Sequence, residues 1–191
     1  MAVRHRNKAA TREEILSAAR TVLNRDGSGR LSTRSVAAEA GVNQSLIHYH
    51  FGTRDDLVSA ITTESGRRAA HAIEAVPPAR TVRSGIKRLW EAYRSPALAP
   101  LLTLYCQAAA TGLIGREPYR TDVRASNALW TAALKDYLIR CGADPQRAGR
   151  VVTLVDSALY GFFLDLVTDR PEELERGVAD LADAAQGLAN A

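Results

Sequence analysis

Apolar residues return every three or four positions through most of the chain, and no segment alternates apolar with polar positions over strand length. The chain is therefore predicted to be all-α, with about nine helices. The first is announced by Thr11-Arg12-Glu13-Glu14, which has the form of a capping box, followed by an apolar stripe of Ile15, Ala18, Ala19, Val22 and Leu23. Asp26-Gly27-Ser28-Gly29 stops it. A phosphate-binding loop is not the reading of these glycines, because no strand precedes them and no Lys-Ser/Thr follows. Ser32-Thr33 is a plausible cap for a short helix with Val36, Ala37 and Ala40 inward. Gly41 breaks that helix, and Asn43 can cap another over Gln44–Phe51. Two short helices joined through a glycine turn form a helix-turn-helix pattern, with Ala37 small enough for the pair to cross closely. Thr53, with Asp56 three residues on, opens a longer helix running to about Glu74, before the Pro77-Pro78 breaker.

Helices continue beyond the prolines: roughly 81–94, then a strongly apolar stretch over 97–113 with Ser95-Pro96 as its expected cap, then roughly 119–141. Asp144-Pro145 is expected to open an unusually apolar helix, and Arg170-Pro171-Glu172-Glu173 the last one, with acids suited to the helix dipole.

Composition changes the picture little. Hydrophobic residues make up 46% and charged residues 24% of the 191, as in ordinary globular chains, and aromatics only 6%, which favours closely packed helices. Charge placement says more. Residues 1–70 hold 11 Lys/Arg against 7 Asp/Glu, whereas 71–191 hold 14 against 14, so the whole excess of +4 lies at the N-terminal end. That suggests a polyanionic partner there. Cys106 and Cys141 have neither metal-ligand spacing nor the density of a disulfide scaffold, so buried free thiols are expected. The basic N-terminus is not followed by the apolar run of a secretory signal. No stretch is expected to span a bilayer, and a reducing, cytoplasmic setting follows.

The candidate chemistry concentrates in Gly41-Val42-Asn43-Gln44-Ser45-Leu46-Ile47-His48-Tyr49-His50-Phe51. At 100° per residue, Ile47 and Phe51 point inward, and Gln44, Ser45, His48 and Tyr49 outward. His48 and His50 fall about 200° apart, so they cannot share a metal ion from a regular helix. No nucleophile–base–orienter set is present nearby, so neither a catalytic nor a metal site is expected. A helix that reads a DNA groove accounts for more: amides and hydroxyls can pair with base edges, and Tyr and His can touch phosphate oxygens.

The run from Thr11 to Leu57 resembles the DNA-binding domain of the TetR family of transcriptional regulators. The likeness is carried by Ile15-Leu16, Ala18-Ala19, Asp26-Gly27, Ser32-Thr33, Val36-Ala37, Ala40-Gly41-Val42 and Ile47-His48-Tyr49-His50-Phe51-Gly52-Thr53-Arg54-Asp55-Asp56-Leu57. The family usually has Tyr where His48 stands and Lys where Arg54 stands, so the phosphate role falls to either His48 or Tyr49. The resemblance implies a DNA-binding domain over 1–54, with Thr33, Arg34, Asn43, Gln44, Ser45, His48, Tyr49, His50 and Arg54 toward DNA. It also implies an effector-binding and dimerisation domain over 55–191. Implied with these are a ligand-responsive repressor, a homodimer joined through its last two helices on a near-palindromic double-stranded operator, and a small, mostly apolar effector. No cofactor or membrane partner is implied. A sequence-nonspecific architectural protein would need more widespread positive charge, and a small all-helical enzyme would need an acid/base set.

Residues 151–167 are apolar on more than one face, as in a helix covered on both sides. Gly161 and Ala179, Ala182 and Ala185 would permit close approach of partner helices. Candidates to line an effector pocket are Trp90, Tyr93, Leu101, Tyr105, Trp130 and Phe163, with Asp156 as an acid set in an apolar helix. Asp156 either pairs with an arginine across an interface or supplies polarity to a pocket.

Overall fold

The structure, a computed structural model, describes residues 8–168 and 170–190. Among them lie nine α-helices: α1 (Lys8–Asp26), α2 (Thr33–Ala40), α3 (Gln44–Phe51), α4 (Arg54–Glu74), α5 (Val82–Tyr93), α6 (Ala99–Leu113), α7 (Tyr119–Arg140), α8 (Ala148–Asp165) and α9 (Pro171–Asn190). No strand occurs among the described residues. Two compact units divide the chain. One holds the described residues through Ser65 together with Thr103–Ala125; the other holds Gly66–Leu102 and the described residues from Ser126 onward. The helices α4, α6 and α7 each begin in one unit and end in the other.

The first unit is organised by α1, whose stripe of Ile15, Ala19 and Val22 is fully buried against Leu31, Val36, Ile47, Leu57 and Ile61. Enclosing a side chain of Ile47's size stabilises by about 1.5–3 kcal/mol relative to exposure. Arg25 ties the end of α1 to α2 through Glu39 at 2.8 Å and to its neighbour Asp26 at 3.0 Å. Hydrogen bonding to Arg25 holds the Asp26 carboxyl below its ordinary value. The first expected cap is corrected: α1 is already helical at Lys8, and Thr11 lies buried inside it.

The second unit is built around α5, which buries Ile86, Leu89, Trp90 and Tyr93 against α7, α8 and α9. Gly85 allows α7 to come close, since a Cβ there would lie 2.8 Å from the Cys141 sulfur. The Tyr137 hydroxyl donates to the Gly85 carbonyl at 3.2 Å, and burial pushes that phenol well above its ordinary value. Between α5 and α9, Arg83 pairs with Asp183 at 2.7 Å and Arg94 with Glu175 at 2.9 Å.

Three further expectations are corrected. Ser95 and Asp144 do not open helices. The Ser95 hydroxyl accepts from the Leu98 N–H and the Asp144 carboxylate from the Gln146 N–H, each closing a turn, so α6 begins at Ala99 and α8 at Ala148. The same side-chain bond serves a turn as well as a cap. Ala182 and Ala185 are fully buried in their own unit's core, so they are not available to a partner helix. Ala148–Thr168 is, by length and composition alone, apolar enough to cross a membrane, although a core helix passes the same test. Only 22% of its most apolar window is buried.

Candidate functional site

In the first unit, α2 and α3 are set by four local devices. Ser32 caps α2, its hydroxyl accepting the Ser35 N–H at 3.0 Å while the Ser35 hydroxyl accepts the Ser32 N–H at 2.9 Å. Gly41 takes the left-handed conformation (φ 64°) that ends α2, and the next N–H, of Val42, returns to the Ala37 carbonyl at 3.0 Å. Asn43 Oδ1 accepts the Ser45 N–H at 3.0 Å and starts α3. Finally Thr53 and Asp56 cap α4 reciprocally: the Asp56 carboxylate accepts the Thr53 N–H at 2.8 Å and its hydroxyl at 2.7 Å, which holds that carboxyl below its ordinary value.

These devices bury Ile47 and Phe51 and leave Gln44, Ser45, His48 and Tyr49 exposed, Tyr49 at 67%. Two of the four are pinned. The Gln44 amide donates to the Thr33 hydroxyl at 2.9 Å and lies 3.4 Å from His48 Nε2. His48 Nδ1 lies 2.7 Å from the Gly52 carbonyl. A carbonyl only accepts, so Nδ1 carries the proton, and in the neutral ring Nε2 is left to accept from the Gln44 amide. The chain Gly52–His48–Gln44–Thr33 thus fixes the two side chains and leaves the Gln44 carbonyl oxygen facing away from these bonds. Tyr49 packs edge-on against His50 at 5.2 Å between ring centroids.

The other residues expected toward DNA are distributed as follows. Arg34 and Asn43 are exposed and His50 is half-buried. Thr33 is 8% exposed, and its hydroxyl is engaged with Gln44. Arg54 donates from Nε to the Leu31 carbonyl at 2.9 Å, joining the start of α4 to the loop before α2, and lies 3.4 Å from Asp55. Of the basic N-terminus, residues 1–7 lie outside the described residues. Arg12 lies over the Phe51 ring at 5.0 Å.

In the second unit, several pocket candidates meet. Trp90, Tyr93 and Trp130 are buried, while Leu101 and Phe163 are partly buried against the same core. Tyr93 packs edge-on against Trp130 at 5.6 Å. The Trp130 N–H donates to the Asp156 carboxylate at 2.7 Å, and burial pushes that carboxyl above its ordinary value. Trp90 is committed elsewhere: its N–H donates to Glu175 at 3.1 Å and Arg94 covers its ring at 5.0 Å. Tyr105 is half-buried and belongs to the first unit. Tyr160, which the sequence reading passed over, stands 6.0 Å from Tyr93 and 6.1 Å from Trp130. Its spacing of four from Asp156 along one helix was the available signal.

Residues 15–61 match the tetR family of bacterial regulatory proteins. Over 74 residues the chain is 32% identical to the HTH-type transcriptional repressor Rv3405c of Mycobacterium tuberculosis and to the HTH-type transcriptional regulator Mb3439c of Mycobacterium bovis. That match spans 39% of this chain and 39% of each relative. Among solved structures, the chain is similar to the multidrug binding protein EbrR complexed with imidazole: TM-score 0.69, 26% identity, 94% of this chain and 95% of that one. EbrR complexed with proflavin aligns at TM-score 0.65 and 27% identity over 91% and 98%. A putative transcriptional regulator from Rhodococcus sp. RHA1 aligns at TM-score 0.72 over 94% and 98%, and at 20% identity shares the fold.

Proposed function

We propose, from the match of residues 15–61 to the tetR family of bacterial regulatory proteins, that this chain is a ligand-responsive transcriptional repressor acting in the cytoplasm. The carrying observation is α3: four exposed polar side chains on a helix whose apolar side is buried, two of them fixed by a bond chain before any partner arrives. Fixed polar groups lose little freedom when they meet base edges, which favours reading sequence over merely gripping phosphate. In this reading residues 1–54 bind DNA and 55–191 bind the effector and the second copy.

The dimer forms through α8 and α9 on a near-palindromic operator. Support comes from α8, an apolar helix left largely uncovered by its own chain, with Leu154 and Leu164 exposed and open space around Gly161. Leu188 of α9 is exposed as well. An apolar face of this kind is stable in water when another copy covers it.

The effector is small and mostly apolar. The partly buried aromatics of the second unit, Tyr160, Phe162 and Phe163, supply the surface, and a multidrug binding protein of the same fold binds proflavin and malachite green. The unbroken helix α4 starts directly after α3, so a tilt of α4 changes the spacing of the two reading helices, which must sit about 34 Å apart to dock in successive major grooves.

The test is selection of binding sites from random DNA by the full chain, followed by sedimentation. A palindromic consensus with half-sites one turn apart and a dimer without DNA are expected. Enrichment of no consensus would reduce the protein to nonspecific binding, and a monomer at micromolar concentration would remove the dimer.

A further inference from the structure

Asp156 is the one acid of α8 before its C-terminal Asp165, and its setting is unusual. Its single described bond is the 2.7 Å hydrogen bond from Trp130. No Lys, Arg or His among the described residues pairs with it, and only burial and the indole act on its carboxyl. An ionised carboxylate held out of water without a cation is costly, so such groups are kept neutral or wait for a positive partner. Around it the surface is aromatic. Asp156, Tyr160 and Phe163 stand at i, i+4 and i+7, so they form one row along α8. All three are half-buried, while Val152, Val155 and Leu159 on the adjoining face are buried. Trp130 and Tyr93 pack behind Tyr160. A carboxylate flanked by aromatic faces attracts a positive, weakly hydrated group, because charge attraction and ring quadrupoles act in the same direction; it repels an anion.

We propose that Asp156 anchors an organic cation, an aromatic or alkyl ammonium compound whose charge rests on the carboxylate and whose apolar body lies along Tyr160 and Phe163. Trp130 is the positioning residue: its N–H fixes one carboxylate oxygen and leaves the other for the ligand. This inference rests on the effector reading above and narrows it, since "mostly apolar" becomes apolar with one positive charge.

The probes are N-methylacridinium, a permanent cation, and acridine, its neutral counterpart of the same shape at mildly alkaline pH. Each is titrated by fluorescence into the full chain, wild type, Asp156→Asn and Asp156→Glu. The wild type should bind the cation about tenfold or more tighter than the neutral ring, the scale of one desolvated charge–aromatic contact. Asp156→Asn should lose that preference, and Asp156→Glu should keep most of it. Equal affinity for the two rings in the wild type overturns the proposal whether or not the variants fold, and so does a preference that survives in Asp156→Asn. A dimer that falls apart in Asp156→Asn overturns it too, by assigning the carboxylate to a charged group of the second copy. Failure of both rings to bind the wild type overturns the inference together with the effector reading; binding of acridine without cation preference overturns the inference alone.

Discussion

The two polar sites of this chain are arranged in opposite ways. In α3, Gln44 and His48 are exposed and already bonded to Thr33 and Gly52, so their positions are settled while their outer atoms stay available. In α8, Asp156 is half-buried, touched by one donor, and surrounded by rings. A site that reads a repeating polymer edge gains from rigid, exposed groups whose bonds to water are easily exchanged. A site that captures a small molecule gains from a group whose charge is left unmatched until the ligand arrives. Changes to the outward side chains of α3 should therefore alter recognition with little cost in stability, and removal of the Asp156 charge should lower the preference for a cation while slightly raising stability at neutral pH.

The largest expected effect tests the scaffold under the first site. Ile47→Ala should lower stability by about 2–5 kcal/mol, measured by urea unfolding, and abolish operator binding, since the residue is fully buried between α1, α2 and α4. Next is Gly52, at φ 82° and ψ −113°, where a Cβ would come within 2.8 Å of Asp56 Oδ2. Gly52→Ala should cost about 1–3 kcal/mol and, by moving the carbonyl that holds His48, weaken DNA binding beyond the stability loss. Equal DNA affinity after correction for unfolding would break the claim that His48 is positioned through this carbonyl. Thr33→Val is smaller: it removes the hydroxyl that receives the Gln44 amide and should weaken operator binding by about 0.5–1.5 kcal/mol in a gel-shift titration, with the melting curve nearly unchanged.

The smallest effect belongs to the second site and carries the opposite sign. Burial raises the Asp156 carboxyl, with the Trp130 N–H opposing it, so the folded chain holds this proton more tightly than the unfolded chain does. Its contribution to stability is therefore best in acid and declines as pH rises through the raised folded value. Asp156→Asn, without ligand, should slightly stabilise the protein at neutral pH, and the gain should vanish in acid, where both side chains are uncharged. Thermal melts across that range measure it, and a loss of stability at neutral pH would mean that the carboxylate has a cationic partner.

The helix boundaries that could be read from sequence rest on bonds spanning two or three residues. Ser32, Asn43 and Thr53 act on backbone groups so near in the chain that residue type and spacing sufficed. The same local chemistry misled at Ser95 and Asp144, because such a bond closes a turn as readily as it starts a helix. The inward set of α3 was legible because Ile47 and Phe51 obey helical spacing. That Thr33 holds Gln44, eleven residues away, was not, since it depends on how α2 and α3 cross. For the same reason Ala182 and Ala185 could be placed on α9 but not assigned to their own core, and Tyr160 could not be joined to Trp130 and Tyr93.

The central claim is that α3 reads DNA sequence through pinned polar side chains, and binding-site selection with Gln44→Ala tests it most directly. The predicted result is a loss of about 1–3 kcal/mol on the best wild-type site, with preference relaxed at one base position in each half-site and retained at the others. A selected profile identical to that of the wild type would contradict the claim.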